Sequence, residues 1–559
     1  MQTGRPAMEA LGDRLPWPQP FTDHSRTQAA AGTSSHMSEN GQRSLIASPT
    51  IGAMDDDAAY TAISARDARF DGQLFVGVTS TGVYCRPICR VRTPKRANCR
   101  FFTSAAQAEA EAFRPCLKCR PEIAPGPGLA WSVMDASRTL ARQAADRLDA
   151  DAAGGDTPSV AALAAQLGVT DRHLRRIFHA EHGVTPLQFV QTRRLLLAKQ
   201  LLTDSMLPVS QVALASGFRS LRRFNAAFAD NYRMSPGRLR RAVASADGER
   251  SETEAVSVTL AYRPPYDVAR LLKFFAQRAI PGIEHVLADA TTCAVRRSVR
   301  AGVVSAWPGW VEAAFAPHAA QVRLRFAAAW AGDSAKVVAA ARRWLDLDAA
   351  PQVVDAALAT LPGGAPESAG LRLPGGLDAF ELAVRAVLGQ QVTVAGARTL
   401  ARRVVERFGE ALATPWPEVT RSFPAPAVVG AAAVERIAEL GIIRTRANAI
   451  ISLAQAWPDI EPLTAPRQPA ERLIERLIER LCALPGFGPW TAHYIAMRAL
   501  GWPDAFPPND VAVLKAMQRL FGSSDTLLRQ RAADHIAEGW RPWRSYAVLR
   551  LWNSLETTP

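Results

Sequence analysis

The chain has 559 residues and a formal charge of +14 at pH 7, with 48% hydrophobic and 21% charged residues. A chain of this length exceeds one compact core, so three to five domains are expected. It lacks the run of about eighteen apolar residues that a membrane-spanning helix needs, and its seven cysteines are too few for a disulfide framework. These features exclude a membrane-spanning or disulfide-rich secreted protein and favour a cytoplasmic, nucleic-acid-binding one with reduced thiols.

Changes in composition divide the chain into modules. Residues 1–54 are rich in Pro, Gly, Ser and Gln, which predicts a disordered leader with Met54 as a candidate start. Small and polar residues at 151–160 and 244–255 predict two linkers. We therefore expect modules at the following residues: 55–135, 156–243, 256–370 and 371–559. An alternating strand, "VSVTLAY", opens the third module and helical periodicity dominates the fourth, so the predicted fold class is multidomain α+β.

Five of the seven cysteines fall within the first module. Cys85 and Cys89 are separated by three residues, and Cys116 and Cys119 by two, with a gap of 26 residues between the pairs. Two close pairs at such a distance predict four thiolates around one zinc ion, although buried small hydrophobic residues are the alternative. Cys99 fits neither pair and is expected to be a packing residue.

The cysteine module resembles the N-terminal zinc domain of Ada-type regulators of alkylation damage, over "FDGQLFVGVTSTGVYCRPICRVRTPKRANCRFF" and "FRPCLKCRPE". The resemblance implies a small Zn(Cys)4 α/β domain in which Cys85 accepts a methyl group from a methyl phosphotriester in DNA. Zinc favours the thiolate, which is the nucleophilic form of the sulfur. Cys89, Cys116 and Cys119 would complete the zinc site.

A basic frame surrounds the first cysteine pair, with six Lys or Arg and no acid in residues 86–100. Four thiolates and one Zn²⁺ sum to a formal charge of about −2, which repels DNA, and methylation of Cys85 would bring it to about −1. We therefore expect the frame to offset this charge and hold the phosphate backbone, so that methylation strengthens DNA binding. Its members are Arg86, Arg90, Arg92, Lys95, Arg96 and Arg100.

A helical, basic module follows the cysteines. "SVAALAAQLGVTDRHLRRIFHAEHG" predicts two short helices joined at residues 168–170, and a second copy turns near residues 216–219. Residues 171–241 contain 13 Lys or Arg against 4 acids. The pattern predicts a double helix-turn-helix that places two helices in the major groove, with a solvated arginine-rich bundle as the alternative.

This module resembles the DNA-binding domain of AraC-type transcriptional regulators, which Ada-type regulators carry directly after their zinc domain. The matching residues at its end are Gly217, Phe218, Phe224, Phe228, Tyr232, Ser235 and Pro236. From the two second helices we expect these side chains to face DNA: Arg172, His173, Arg176, Ser220, Arg222 and Arg223.

A hairpin marks the last module. In "LCALPGFGPWTAHYIAMRALGW", helices are expected on both sides of residues 484–488, where Gly486 and Gly488 allow backbone groups to approach a phosphate closely. "AFPPNDVAVLK" follows and places Asp510 at the start of another helix. Asp510 has a plain alternative role as a helix N-cap.

Residues 256–559 resemble AlkA-type 3-methyladenine DNA glycosylases, on "FELAVRAVLGQQVTVAGARTLARRVVERFG", the hairpin, the Asp510 segment and "WRPWRSYAVLRLW". The resemblance implies an α+β domain followed by an all-α helix-hairpin-helix domain that cleaves the N-glycosidic bond of a flipped base. Asp510 would stabilise the oxocarbenium-like sugar directly or orient water. A cation, monovalent or other, is a candidate ligand at the hairpin.

The same resemblance assigns the base pocket to Trp490, Tyr494 and Trp552, whose electron-rich faces would attract a cationic alkylated base. Two positions depart from the family pattern. Val511 stands where an aromatic residue is common, which thins one pocket wall, and Gln391 stands where an apolar wedge fills the gap left by base flipping.

The sequence thus predicts a fused alkylation repair and response protein. It would combine a DNA-3-methyladenine glycosylase, a stoichiometric methyl acceptor at Cys85 and a transcription regulator. Expected partners are alkylated and promoter double-stranded DNA and RNA polymerase, with no membrane and a location on the nucleoid. The alternatives are a regulator whose C-terminal half only binds damaged DNA, and a zinc-stabilised structural fusion without methyl transfer.

Overall fold

A computed structural model describes these residues: 54–126, 136–151, 159–244, 255–289, 291–359, 361, 369–464, 471–521 and 530–556. All of the predicted leader except Met54, and most of both predicted linkers, lie outside them. No helix in these described segments is long and apolar enough to cross a bilayer.

The first module is a four-stranded sheet in the order β3-β1-β2-β4, with a helix before it and one between β3 and β4. Its elements are α1 (Asp56–Ser64), β1 (Phe75–Val78), β2 (Val83–Cys85), β3 (Cys99–Phe102), α2 (Ala105–Ala110) and β4 (Arg114–Pro115). Strands β2 and β4 pair in parallel with Tyr84 opposite Pro115. Because parallel strands end at the same edge, this register brings Cys85 beside Cys116, and the α/β prediction is confirmed.

In its described residues the second module has seven helices: α3 (Ala136–Asp151), α4 (Val160–Gln166), α5 (Asp171–His182), α6 (Pro186–Asp204), α7 (Val209–Ala215), α8 (Leu221–Tyr232) and α9 (Pro236–Ala244). The pairs α4–α5 and α7–α8 are the two predicted helix-turn-helix units. Thr170 and Ser220 cap α5 and α8 by accepting the third backbone N–H of each helix. Helix α3, which lies between two predicted modules, packs against α5 through a buried cluster that includes Leu148 and Phe178.

The third module is a five-stranded antiparallel sheet in the order β5-β9-β8-β7-β6. It comprises β5 (Ala255–Ala261), α10 (Val268–Arg278), β6 (Glu284–Ala288), β7 (Cys293–Val299), β8 (Gly309–Ala316), β9 (Gln321–Ala327), α11 (Ser334–Trp344) and α12 (Pro351–Ala357). The predicted strand over 256–262 is β5. Its buried positions alternate, because one face of the sheet packs on apolar side chains.

The fourth module is all helical in its described residues, as predicted. Its helices are α13 (Ala379–Leu388), α14 (Val394–Phe408), α15 (Pro426–Gly430), α16 (Val434–Ala438), α17 (Arg444–Thr464), α18 (Glu471–Cys482), α19 (Pro489–Ala499), α20 (Val511–Phe521), α21 (Gln530–Glu538) and α22 (Arg544–Glu556). The predicted hairpin joins α18 to α19, and Asp510 immediately precedes α20.

The modules share buried polar contacts within one compact unit, residues 49–559. Arg263, which is fully buried just after β5, donates hydrogen bonds to the main-chain oxygens of Asp71 at 3.0 Å, Asp348 at 2.8 Å and Gly126. Gln200 of α6 donates to the Thr259 oxygen of β5 at 2.8 Å. The zinc and helix-turn-helix modules are thus fixed to the third module.

Candidate functional site

The four predicted zinc ligands converge at the edge of the first sheet. The sulfurs of Cys85, Cys89, Cys116 and Cys119 all lie within 4.8 Å of one another. Hydrogen bonds from the other three thiols lower the pKa of Cys116, first that from Cys119, whereas the bond to Cys116 raises the pKa of Cys119. These opposite shifts mean that the four sulfurs are not all deprotonated without a cation. Zn²⁺, which prefers tetrahedral thiolate sites, can bind all four as thiolates. The four cysteines form one zinc site, as predicted.

Cys99 stays outside this site, as expected. It is 7% exposed, packs in the same apolar cluster and donates from its thiol to the Lys95 oxygen at 3.4 Å.

Arg86 corrects the predicted basic frame, because its side chain is directed inward. It is 3% exposed, its guanidinium binds the buried carboxylate of Asp71, and it donates to the main-chain oxygen of Cys119 at 3.0 Å. Its backbone N–H donates to the Cys119 sulfur at 3.3 Å. Burial and a committed ion pair leave this side chain unable to contact DNA, so it supports the zinc site from within.

The other frame residues lie on the surface. Arg90, Arg92 and Lys95 are exposed and form no ion pair with any described residue. Arg96 is half-buried and pairs with Asp56 and Asp57 of α1, at 3.3 and 3.0 Å. Arg100 pairs with Glu111 at 2.5 Å, and both side chains are exposed. Exposed pairs of this kind are weak, so these cations can exchange an acid for a phosphate.

A second candidate site surrounds Asp510, which is 7% exposed. One carboxylate oxygen accepts from Trp490 Nε1 at 2.8 Å, and the other from Trp552 Nε1 at 3.2 Å and from the Val513 backbone N–H at 2.8 Å. Asp510 is therefore the N-cap of α20, which was the alternative role expected from the sequence. Two indole N–H groups also hold its carboxylate.

The predicted pocket aromatics lie together around this carboxylate. Trp490 stacks on Tyr494 with ring centroids 5.2 Å apart at an interplanar angle of 11°, and Tyr494 lies 6.3 Å from Trp552 at 44°. All three rings are half-buried. Val511, beside Asp510, is 79% exposed, so it adds little to a pocket wall. The arrangement places a carboxylate with fixed hydrogen-bond partners beside a cluster of three aromatic rings.

Four family models match the chain in the order of its modules. They are the metal binding domain of Ada over residues 58–122, a helix-turn-helix domain over 163–242, the AlkA N-terminal domain over 257–378 and the HhH-GPD superfamily of base excision DNA repair proteins over 384–542.

Relatives match both the whole chain and its halves. A probable bifunctional transcriptional activator/DNA repair enzyme AlkA of Mycobacterium tuberculosis is 38% identical, over 90% of this chain and 97% of its own. The chain belongs to the bifunctional Ada/AlkA family. Its C-terminal half is also 37% identical to DNA-3-methyladenine glycosylase 2 of Escherichia coli, over 53% of this chain and 96% of the relative. The bifunctional enzyme Ada of that organism is 34% identical over 25% of this chain and 37% of its own.

As a member of the Ada/AlkA family the chain is a DNA-binding protein with a helix-turn-helix regulator and a DNA-3-methyladenine glycosylase domain. Most residues predicted to face DNA from α5 and α8 lie on the surface. Arg172, Arg176, Arg222 and Arg223 are exposed, and His173 is half-buried with its Nδ1 3.3 Å from Arg176. The Ser220 hydroxyl accepts the Arg223 N–H as a cap, which leaves its proton free to donate.

The hairpin of this Ada/AlkA chain uses its two glycines differently. Gly486 has φ +82° and a Cβ placed on it would lie 2.8 Å from Ala449 Cβ, so the fold itself requires glycine there. A Cβ on Gly488 would meet nothing within 4 Å. The fold does not need a glycine at 488, which fits a backbone that DNA approaches closely. The predicted cation at the hairpin stays a prediction.

The loop that contains Gln391, the predicted wedge position, precedes α14. A residue that the sequence analysis did not single out ties this loop to the hairpin. The side-chain amide of Gln390 donates to the Gly486 oxygen and to Thr491 Oγ1, each at 3.0 Å, and the main-chain oxygen of Gln390 accepts from Arg446. Gln391, at φ +53°, is exposed beside the exposed Val392. The sequence offered no signal for this contact beyond the position of Gln390 next to Gln391.

Proposed function

We propose that this Ada/AlkA protein excises alkylated bases from DNA with Asp510 as the catalytic carboxylate. The observation that carries the proposal is the pair of indole N–H bonds to Asp510, from Trp490 and Trp552, which fix a buried anion beside the pocket. As the C1′–N bond lengthens, positive charge develops on the sugar, and a fixed carboxylate stabilises it without reorganising. Asp510 would do so directly or by orienting the attacking water.

A neutral substitution at Asp510 tests the proposal. Asp510→Asn keeps the size of the side chain but removes the charge, so release of methylated bases from duplex DNA should fall by roughly 10²- to 10³-fold. Asp534→Asn, an exposed change on α21, is the matched control and should leave the rate unaltered. Binding to the same duplex should survive in both proteins. Normal base release by Asp510→Asn would show that another group carries the catalysis. Binding without any base release by the unaltered protein would favour a half that only binds damaged DNA.

We further propose that Cys85 accepts a methyl group from a DNA phosphotriester. The Cys119 sulfur accepts a backbone N–H, from Arg86 at 3.3 Å. No such donor to Cys85 lies among the described residues, so its sulfur keeps more electron density for attack than that of Cys119. Exposure alone does not favour it, since Cys85 is buried and Cys119 is half-buried.

In the transfer, Cys85 Sγ attacks the methyl carbon, the methyl–oxygen bond breaks, and its electron pair stays on the phosphate as a diester anion. Bound zinc supplies a deprotonated sulfur for this reaction. After incubation with methylated duplex, a peptide containing Cys85 should gain about 14 Da, a methyl replacing a proton. The same gain on a Cys119 peptide instead would overturn the assignment, and no gain would favour a purely structural zinc site.

We also propose that the helix-turn-helix module binds promoter DNA and recruits RNA polymerase, with the protein located on the nucleoid. What supports this is the exposed arginine set on α5 and α8, at the N-terminal ends that enter the major groove in such units. Replacing Arg172 and Arg222 together by Ala should abolish specific promoter binding in a mobility-shift titration. Base excision by the C-terminal half should persist.

A further inference from the structure

The hydroxyl of Tyr494 is held in one direction by a buried arginine four residues later on α19. Arg498 Nη1 donates to the Tyr494 oxygen at 2.8 Å. No acceptor for the Tyr494 hydroxyl proton lies among the described residues. Because the arginine occupies a lone pair of the phenol oxygen, the O–H bond must be directed away from Arg498. The hydroxyl can therefore donate to a bound ligand.

Arg498 is itself fixed in place. It is 4% exposed, its Nε donates to the Pro374 oxygen, and its guanidinium lies 4.6 Å from the centre of the Phe274 ring. Arg278 lies against the same ring at 3.8 Å. A side chain so constrained keeps its hydrogen bond to Tyr494. Arg498 therefore always donates and the Tyr494 oxygen always accepts.

The charges around Tyr494 strengthen it as a donor. Burial raises the pKa of this phenol, but the positive charges of Arg498, Arg278 and Arg385 and the Arg498 hydrogen bond lower it by more, so the net shift is downward. Glu284 and Glu381, which pair with Arg385, are the acids of this buried cluster. A more acidic hydroxyl is a stronger hydrogen-bond donor.

We propose that the Tyr494 hydroxyl donates a hydrogen bond to the base bound in the pocket, and that Arg498 is the positioning residue that turns the hydroxyl proton toward that base. The inference rests on the proposed glycosylase function, because it places the base against Tyr494. Trp490 stacks on Tyr494 and binds Asp510, so the donor and the carboxylate belong to one wall.

The donor has a specific consequence for substrate choice. When the C1′–N bond breaks, its electron pair goes to the base and water adds to C1′. The proton that this water loses goes to the departing base if the lesion is neutral, and to solvent if the lesion is cationic. A lesion that is neutral in DNA leaves with negative charge on its ring, so a hydrogen bond from Tyr494 grows stronger in the transition state. A cationic lesion leaves as a neutral base and gains less. Tyr494 and Arg498 therefore determine how well neutral bases with a ring nitrogen or carbonyl acceptor are excised.

Tyr494→Phe tests the donor while keeping the ring and leaving Arg498 in place. The probes are duplexes with one hypoxanthine, a neutral base, or one 7-methylguanine, a cationic base, cleaved under single-turnover conditions. We expect the hypoxanthine rate to fall about tenfold, equivalent to roughly 1.4 kcal/mol, and the 7-methylguanine rate less than twofold. Tyr266→Phe removes a buried hydroxyl elsewhere, one that donates to the Leu345 oxygen at 2.6 Å, and should leave the ratio of the two rates unchanged.

Arg498→Met tests the positioning role, with Arg498→Lys as the conservative variant. Arg498→Met should lower the ratio of the hypoxanthine rate to the 7-methylguanine rate as Tyr494→Phe does, and Arg498→Lys should lower it less. In a Tyr494→Phe background, Arg498→Met should not change the ratio further. Equal losses on both probes in Tyr494→Phe, or no release of hypoxanthine by the unaltered protein, would overturn the inference while 7-methylguanine release still supports the proposed function. If neither base is released by the unaltered protein, the proposed function itself fails.

Discussion

The guanidinium of Arg263 donates to the main-chain oxygen of Asp71 at 3.0 Å. Asp71 is also the residue whose carboxylate binds Arg86, next to Cys119. On the other side, the Arg263 oxygen accepts from Arg372. A run of buried hydrogen bonds therefore connects the zinc site to the third module, and the two modules should respond together when either is perturbed.

Arg263→Met should lower the stability of the whole unit. Burial lowers the pKa of Arg263 to about 10, so the group is still charged at neutral pH and donates to four main-chain carbonyl oxygens. Loss of their donor should cost about 2–4 kcal/mol, seen as a melting temperature lower by several degrees. Arg69→Met, at an exposed ion pair with Asp67, is the control and should change the melting temperature little. Equal melting of the two variants would contradict a structural role for the buried contact.

The two hairpin glycines should separate stability from DNA binding. Gly486→Ala places a Cβ on a residue with positive φ and only 2.8 Å from the Ala449 Cβ. It should therefore destabilise the protein by roughly 1–3 kcal/mol. Gly488→Ala fits the fold without contact and should melt normally, yet bind abasic duplex more weakly. Calorimetry and fluorescence anisotropy give the two readouts. Normal DNA affinity in Gly488→Ala would show that the backbone at 488 is not approached by a phosphate.

Methylation of Cys85 should tighten promoter binding about tenfold at moderate salt. It removes about one unit of negative charge at roughly 4–6 Å from the phosphate-facing cations, which is worth about 1–2 kcal/mol after screening. The gain should shrink as salt rises, because screening weakens both forms toward the same value. Anisotropy titrations of methylated and unmethylated protein at several salt concentrations measure this. Equal affinities at low salt would mean that the Cys85 chemistry is repair without signalling.

Glu109 should make stability fall as the pH rises. This buried carboxyl accepts from the Tyr84 hydroxyl at 3.0 Å, and burial raises its pKa from 4.5 to about 8. The folded state thus keeps a proton that the unfolded state has already lost, so stability decreases between about pH 4.5 and 8. Glu109→Gln should flatten that part of the melting profile, whereas Glu111→Gln, an exposed change, should not. A profile unaffected by Glu109→Gln would place the titration elsewhere.

Local patterns predicted most of the fold, and contacts distant in sequence account for what they did not predict. The cysteine spacing, both helix-turn-helix units, strand β5 and the cap at Asp510 depend on residues a few positions apart. Arg86 was misplaced because its partner Asp71 lies 15 residues earlier, in a turn with no acidic pattern. The hydrogen bonds of Gln390 span about 100 residues. Arg498 did carry a local signal, since it lies one helical turn after Tyr494.

The hydrogen bonds to Asp510 also limit how this enzyme can evolve. Trp490 and Trp552 both donate to the carboxylate, so a mutation that changes either ring to suit another lesion also disturbs the group that we propose as catalytic. The Tyr494 hydroxyl instead accepts from Arg498, and the described hydrogen bonds to Asp510 come from other residues. New lesion preferences should therefore arise first at Tyr494, where a substitution leaves both hydrogen bonds from the indoles to Asp510 in place.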